Sequence, residues 1–335
     1  MQYTSLIIWD EAPMSDRICF EYLDRSLRDV LECDEQPFGG ISILHGGDFR
    51  KTLPVLPKAI RSQIIDLTLE NSYLWSLFQL QMLTQNMRLF STKNNNTIPH
   101  SLLIPPTHNS LQHLIDFLYG TKILNAPTTT DMSVRAIVHP TNEVANNINS
   151  MILKLVNPYS RIYISTDAME PNGKHTSNLE GIYLIEYLNQ LTFPGIPPHT
   201  LEIKLNIPIM QRDGLCYGTR LIVTQLLPVV IEATIITWAC IGQRVYIPRI
   251  KFIQRPLDLP ISFSRKQFPV KLCYAMTINK SQRQSLKRIS QPVFSHGQLY
   301  VALSRATSPG SLKMLKERND ATPYNETKNV VYRDL

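Results

Sequence analysis

The sequence predicts an α/β protein with parallel sheets in two domains and a small β-rich insert. Three observations carry this. The chain has 335 residues, more than one ordinary core fills. Short, wholly apolar runs alternate with amphipathic helical stretches near both ends, as buried parallel strands and crossover helices do. Between about residues 160 and 255 the pattern changes to short β-branched runs separated by Gly and Pro, the mark of a compact β-rich region.

The first run, Ser5-Leu6-Ile7-Ile8-Trp9, reads as a strand buried on both faces, and it ends at once in Asp10-Glu11. Ser15 is placed to cap a helix in which Ile18, Leu23, Leu27, Val30 and Leu31 recur near a 3.6 period. Gly39-Gly40 precede a second strand, Ile41 to Leu44, which runs into Gly46-Gly47-Asp48. Strand, helix, strand implies a right-handed crossover. Tyr73, Trp75 and Phe78 fall at helical spacing and read as core. After Arg88 the chain turns polar, Ser91-Thr92-Lys93-Asn94-Asn95-Asn96, and stays Pro-containing up to Pro106, a linker composition. A second strand-helix unit follows at Val134 to Val138 and Asn142 to Leu155, with Asn142 as the expected cap, and the α/β pattern returns at Val270 to Leu315.

Composition narrows the function. Apolar residues make up 43% and charged residues 18%, which excludes a disordered chain. The longest apolar run, Leu226 to Ile241, is broken by Pro228 and Glu232 and falls short of the roughly 20 residues of a membrane span, so buried strands are expected there. Lys plus Arg number 34 against 27 Asp plus Glu, a net charge of +7 that favours a polyanionic partner. Five scattered cysteines with no C-x-x-C are expected to be reduced and mostly buried, in an intracellular protein. The opening residues lack the layout of a signal peptide. His108 and His113 are spaced poorly for a shared metal and read as packing residues.

A phosphate-cradling loop needs G-x-x-x-x-G-K-[ST], because glycines let successive backbone N–H groups close around a triphosphate. The sole Gly-Lys pair here is Gly173-Lys174; His175 follows it, and Ala168 stands where the first glycine belongs. No such loop occurs in these residues.

Asp10-Glu11, just past a buried strand, sits where open α/β sheets bind ligands; in a nucleotide site such an Asp joins the Mg²⁺ shell while the Glu deprotonates the attacking water. Alone, the pair marks a solvated strand end. Four further segments set it in context. They are Gly46-Gly47-Asp48-Phe49-Arg50-Lys51-Thr52-Leu53-Pro54-Val55, Leu83-Thr84-Gln85-Asn86-Met87-Arg88, Ala275-Met276-Thr277-Ile278-Asn279-Lys280-Ser281-Gln282 and His296-Gly297-Gln298-Leu299-Tyr300-Val301-Ala302-Leu303-Ser304-Arg305. With Asp10-Glu11-Ala12-Pro13-Met14, this ordered set resembles motifs II to VI of the petite-integration-frequency (Pif) DNA helicases, in particular the branch carried by Helitron transposons.

The resemblance implies two RecA-like parallel-sheet domains, the first incomplete, with a small β-barrel insert of the kind called 2B. The expected layout is 1–90 for the first domain, 91–108 for a linker, 109–175 and 256–320 for the second domain, 176–255 for the insert and 321–335 for a tail. It implies ATP and Mg²⁺ as cofactors, ATP bound in the cleft between the domains, and 5′ to 3′ movement on single-stranded DNA. Forked DNA is a further implied partner, with no membrane involved. The roles implied are Asp10 for Mg²⁺, Glu11 for the attacking water, Asp48 and Lys51 for nucleotide sensing, and Arg88 and Arg305 for the γ-phosphate. Thr277, Lys280, Ser281 and Gln282 would meet DNA phosphates whatever the base sequence. Repair, recombination, telomere maintenance or transposition in the nucleus is the implied setting.

The pattern departs from the family at three places. The P-loop should lie upstream of the first strand, where only Met1 to Thr4 stand, so weak nucleotide binding and an aggregation-prone N-terminal region are expected. Lys51 replaces a usual glutamine, and an ammonium does not make the same neutral switch. Arg283 replaces a usual glycine, which crowds a groove or strains a turn. Two behaviours follow: a Pif-type ATP-dependent motor lacking its P-loop portion, or a remnant that binds DNA without turnover.

Overall fold

The computed structural model describes residues 4–49, 51, 53–56, 59–82, 102–105, 107, 109–156, 159–170, 185–193, 195–211, 219–237, 240–254, 262–281, 301 and 313–315. The chain divides into two compact units. Unit 1 comprises Met1–Leu103, Pro292–Ser304 and Lys316–Leu335, and unit 2 comprises Ile104–Gln291 and Arg305–Leu315.

Unit 1 opens with β1 (Leu6–Trp9), α1 (Arg17–Val30), β2 (Ser42–His45) and α2 (Arg61–Asp66). β1 and β2 pair in parallel, with Leu6 opposite Ser42 and Trp9 opposite His45, so both strands end at the same edge. Ile7, Trp9 and Ile43 pack on a core of Ala12, Phe20, Leu27, Phe38, Ile41, Leu69 and Leu74. The opposite face is not buried: Leu6 is 51%, Ile8 66% and Leu44 57% exposed. This corrects the expectation of a strand covered on both sides. The alternation is that of a sheet with one layer packed against it.

α1 starts one residue later than expected. Asp16, not Ser15, is its N-cap, because the Asp16 carboxylate accepts the Ile18 N–H at 2.9 Å. Its inward face is also partly polar: Phe20 and Leu27 are buried beside Glu21 and Asp24, while Ile18 and Val30 are exposed. Asp24 accepts from Phe38 N at 2.5 Å, Arg28 Nε at 3.1 Å and the Tyr73 hydroxyl at 2.9 Å. Glu21 accepts from Arg17 at 2.7 Å and from the Ser72 hydroxyl at 3.0 Å. Trp75 and Phe78 pack on the core as expected, whereas the Tyr73 ring is half exposed with its hydroxyl turned to Asp24.

A two-residue strand, β3 (Leu103–Ile104), leads to α3 (Ser110–Asn125) and α4 (Thr129–Ser133) in unit 2. β4 (Ile137–His139) and α5 (Asn142–Leu155) follow, with Thr141 rather than Asn142 in the N-cap position. Next come β5 (Ser160–Ile164), β6 (Thr166–Glu170), α6 (Ile185–Gln190), β7 (Thr200–Lys204) and β8 (Pro208–Gln211). β9 (Arg220–Leu226), β10 (Val230–Ile235), β11 (Arg244–Pro248), β12 (Ile250–Gln254), β13 (Ser262–Gln267) and β14 (Val270–Leu272) complete the β-rich stretch. β15 (Ala275–Thr277) and β16 (Met314–Leu315) end the described strands.

Among the described residues, the β-rich stretch forms three antiparallel sheets. One has the order β11-β10-β9-β8-β14, one β12-β13-β6, and the third pairs β5 with β7. Strands 160–170 and 262–272 join these sheets, so the β-rich pairing begins where the composition changes and runs later in the chain than composition indicated. The parallel pattern resumes at β15, which pairs with β4 in the register Ala275 to Ile137. Both of these strands are wholly buried, as expected of parallel strands inside a layered domain.

Two guanidinium groups organise unit 2. Arg220 is fully buried and donates to the carbonyls of Arg135 at 2.8 Å and Ser133 at 3.3 Å, tying β9 to the segment before β4. Arg265, also buried, grips Asp167 through Nε (3.0 Å) and Nη2 (2.7 Å) and reaches the carbonyls of Leu188 and Pro197. No helix among the described residues is long and apolar enough to cross a membrane. All four described cysteines are free, but only Cys273 is buried; Cys19 and Cys240 are exposed, which corrects the expectation of mostly buried thiols.

Candidate functional site

The candidate residues fall in two groups, one in each unit. In unit 1 the two parallel strands deliver Asp10 and Gly46 to the same edge, the position at which open α/β sheets place ligands. Two backbone bonds lock that edge: Gly46 N–H to Trp9 O at 2.9 Å, and Ala12 N–H to Gly46 O at 2.8 Å. A 3₁₀ turn, Ala12–Met14, follows at once, and to enter it Glu11 takes a left-handed conformation with φ 56° and ψ 41°. A non-glycine residue there costs about 1–2 kcal/mol, and such strain persists where surrounding contacts fix it. Here the Asp10 carboxylate accepts the Glu11 N–H at 2.9 Å.

Gly47 is needed for this turn for a steric reason. A Cβ there would lie 2.1 Å from Pro13 Cδ, so the β2 end and the Pro13 ring approach as closely as they do only without a side chain. Downstream, Lys51 N–H bonds to Asp48 O at 2.9 Å, folding the loop back. The Lys51 ammonium then donates to both carboxylate oxygens of Glu11, at 2.8 and 3.0 Å, with both side chains largely buried. Sequence reasoning singled out Glu11 and Lys51 separately; their pairing carried no local signal.

Behind the edge, the ring of His45 packs edge-on against Phe20 at 5.0 Å and Phe78 at 4.7 Å. Its Nε2 is buried without a hydrogen-bond partner among the described residues, and burial holds the imidazole below its ordinary pKa. Burial also acts to raise the pKa of Asp24, but the Phe38 N–H, Arg28 and Tyr73 outweigh it and hold that carboxyl below the ordinary range.

In unit 2, β15 carries Thr277, and a 3₁₀ turn, Asn279–Ser281, follows it. Thr277 is buried, Lys280 is half-buried, and Ser281 is wholly buried with its hydroxyl donating to Ile278 O at 2.6 Å. The Ser281 hydroxyl is therefore spent on shaping the turn. Arg50, Arg88, Gln282, Arg283 and Arg305 lie outside the described residues, as does most of the 91–108 segment.

The donor set at the unit 1 edge fits Mg²⁺ in one manner. No group of three or more His, Cys, Asp or Glu able to hold a metal ion occurs among the described residues. Oxygen ligands from one or two carboxylates, completed by phosphate oxygens and water, are nevertheless the usual Mg²⁺ arrangement, and Asp10 supplies such a carboxylate.

Known proteins resemble the chain in parts of its sequence and in its fold. Residues 1–102 match the family described as PIF1-like helicase, and residues 186–226 match the 2B domain of DNA helicase Pif1. In these two segments the chain resembles the Pif1-like helicases. It is 22% identical to the ATP-dependent DNA helicase RRM3 of Saccharomyces cerevisiae, over all of this chain and 54% of that protein. A shorter stretch of 51 residues is 55% identical to the ATP-dependent DNA helicase Pif1 of Campylobacter jejuni, 14% of this chain and 11% of that one. The chain spans about half the length of the curated relatives it matches from end to end. The fold is that of Pif1 helicase from Bacteroides, solved with ADP-AlF3 and single-stranded DNA, at TM-score 0.65 and 22% identity over 98% of this chain and 73% of that one. Pif1 helicase from Candida albicans gives TM-score 0.59 and 20% identity over 99% and 75% of the two chains.

Proposed function

We propose that these residues are the motor portion of a Pif1-type ATP-dependent DNA helicase that moves 5′ to 3′ on single-stranded DNA and acts at forks. The observation that carries this reading is the carboxylate turn: Asp10 and Glu11 leave a parallel strand at the edge it shares with Gly46, and Lys51 reaches back to Glu11. Asp10 would hold Mg²⁺, which would supply charge neutralisation on the phosphates when nucleotide is bound. Glu11 orients and deprotonates the attacking water, and Asp48 and Lys51 respond to the terminal phosphate. Arg88 and Arg305 stabilise the transferring phosphoryl group, a contribution of about 10³ to 10⁵ in rate for such arginines. The β-rich stretch is the 2B-type insert with a barrel form, and Lys280 with Gln282 meets DNA phosphates. A nuclear protein of Helitron origin is the setting this reading favours.

A second reading, DNA binding without turnover, is favoured by Lys51 engaging both oxygens of Glu11, the carboxylate that the first reading needs for the attacking water. One experiment separates the two. ATP hydrolysis is measured with single-stranded DNA for the 335-residue chain and for a fusion that places the P-loop segment of a Pif1-type relative ahead of it. The expected result is background turnover by the chain alone and DNA-stimulated turnover by the fusion, lost at least about 100-fold in Glu11→Gln. Undiminished turnover in Glu11→Gln would overturn the role of Glu11, and a fusion with no turnover would leave the DNA-binding reading standing.

A further inference from the structure

Among the described residues β15 is paired on one side only. In a parallel pair alternate residues turn their N–H and C=O groups to opposite edges. The Tyr274 carbonyl faces β4 and accepts the Ile137 N–H at 2.9 Å, so the N–H and C=O of Ala275 face the other edge. Among the described residues no strand lies there. Asn149 of α5 takes its place. Its Oδ1 accepts the Ala275 N–H at 2.8 Å, its Nδ2 donates to the Ala275 carbonyl at 2.9 Å, and the same Nδ2 lies 3.3 Å from the Leu272 carbonyl. A primary amide has the donor and acceptor of a peptide group, so Asn149 acts as a strand one residue long.

The segment around this clamp is held at neighbouring points. The Tyr119 hydroxyl donates to Tyr274 O at 2.7 Å, Ile278 N–H donates to His139 O at 3.2 Å, and Ser281 N–H donates to Ile278 O at 3.0 Å. Asn149 is 3% exposed and Ala275 0%, so water has no ready access to replace the amide. An apolar residue of similar size would fill the space yet leave two buried peptide groups unpaired at the base of the turn.

We infer that Asn149 is a positioning residue for nucleic-acid binding: it fixes the free edge of β15 and thereby the 277–281 turn from which Lys280 meets a DNA phosphate. The inference rests on the proposed DNA contact of Lys280. It adds a residue on α5, far from the motif in sequence, whose effect on DNA passes through the backbone of Ala275 and Leu272.

The test uses the full chain and a fluorescein-labelled oligothymidylate followed by anisotropy, together with amide hydrogen exchange resolved over 272–281. Asn149→Ala is expected to weaken DNA binding about tenfold while exchange at Ala275 to Ser281 accelerates. Ile231→Ala, a core truncation in β10, is the control for general destabilisation and is expected to bind DNA as the parent does. Should Asn149→Ala fail to fold, Asn149→Gln keeps both the donor and the acceptor of the amide on an arm one methylene longer and is expected to show intermediate losses. Lys280→Ala separates the two ideas. Parental binding by Lys280→Ala overturns the DNA contact itself. Weakened binding by Lys280→Ala with parental binding and exchange in Asn149→Ala overturns the positioning role. Equal losses in Asn149→Ala and Ile231→Ala overturn it too.

Discussion

Lys51 Nζ bridges both carboxylate oxygens of Glu11, at 2.8 and 3.0 Å, across forty residues of sequence. The pair joins the turn after β1 to the loop after β2, and both side chains are mostly shielded from water. Charge-assisted bonds of this kind are worth about 1.5 kcal/mol at the low end. A double-mutant cycle of Glu11→Gln and Lys51→Met, read by chemical denaturation, is expected to give a coupling of about that size. Additive effects would show that the two groups do not act as a unit.

Gly47 and Pro13 form the second constraint on the turn. Gly47→Ala puts a methyl 2.1 Å from Pro13 Cδ, and the expected cost is at least about 2 kcal/mol. Pro13→Ala removes the ring atoms involved, so adding it to Gly47→Ala should recover most of the loss in thermal midpoint. No recovery would mean that some other contact requires the glycine.

Acid should weaken unit 1 in two stages. The folded pKa of His45 is depressed by burial, so its contribution is full above its unfolded value near 6.5 and is lost as pH falls toward the folded value. Asp24 is also depressed, so its contribution is full above about 3.9 and is lost as pH falls through its folded pKa. His45→Phe should flatten the upper stage and leave the lower one. Denaturant midpoints taken across the acid range decide this, and an unchanged upper stage in His45→Phe would assign it to another group.

Arg265 and Asp167 make a buried ion pair in unit 2. Removing one member strands the other charge, so Arg265→Met is expected to cost about 3–5 kcal/mol. The double variant Arg265→Met, Asp167→Leu should be markedly more stable than the single one by urea denaturation. A double variant no better than the single would locate the cost in the carbonyl contacts of Arg265 at Leu188 and Pro197.

The strands of both α/β segments were legible because short apolar runs bounded by acid or glycine have few other solutions. The coverage of those strands was not: Leu6-Ile7-Ile8-Trp9 and Ala136-Ile137-Val138 look alike in composition, yet the first has one bare face and the second is wholly buried. Only the neighbouring layers decide that. Cap residues slipped by one position at Asp16 and Thr141, since adjacent residues of similar chemistry compete and backbone geometry selects between them. The carboxylate pair was visible as a motif. Its left-handed Glu11, the Gly47 contact with Pro13 and the Asn149 clamp were not, because each depends on a partner brought close only by folding.

The bare face of β1 also bears on how its alignment is specified. Apolar side chains at Leu6, Ile7, Ile8 and Trp9 give no preference between one face and the other, so a slip by one residue against β2 forfeits little burial. What forbids the slip lies beyond the strand: the Ala12 bond to Gly46 and the Pro13 ring seated over Gly47. The direction in which Asp10 points is therefore dictated by the two residues that follow Glu11, and a chain altered there would keep its strand while turning its acid the wrong way.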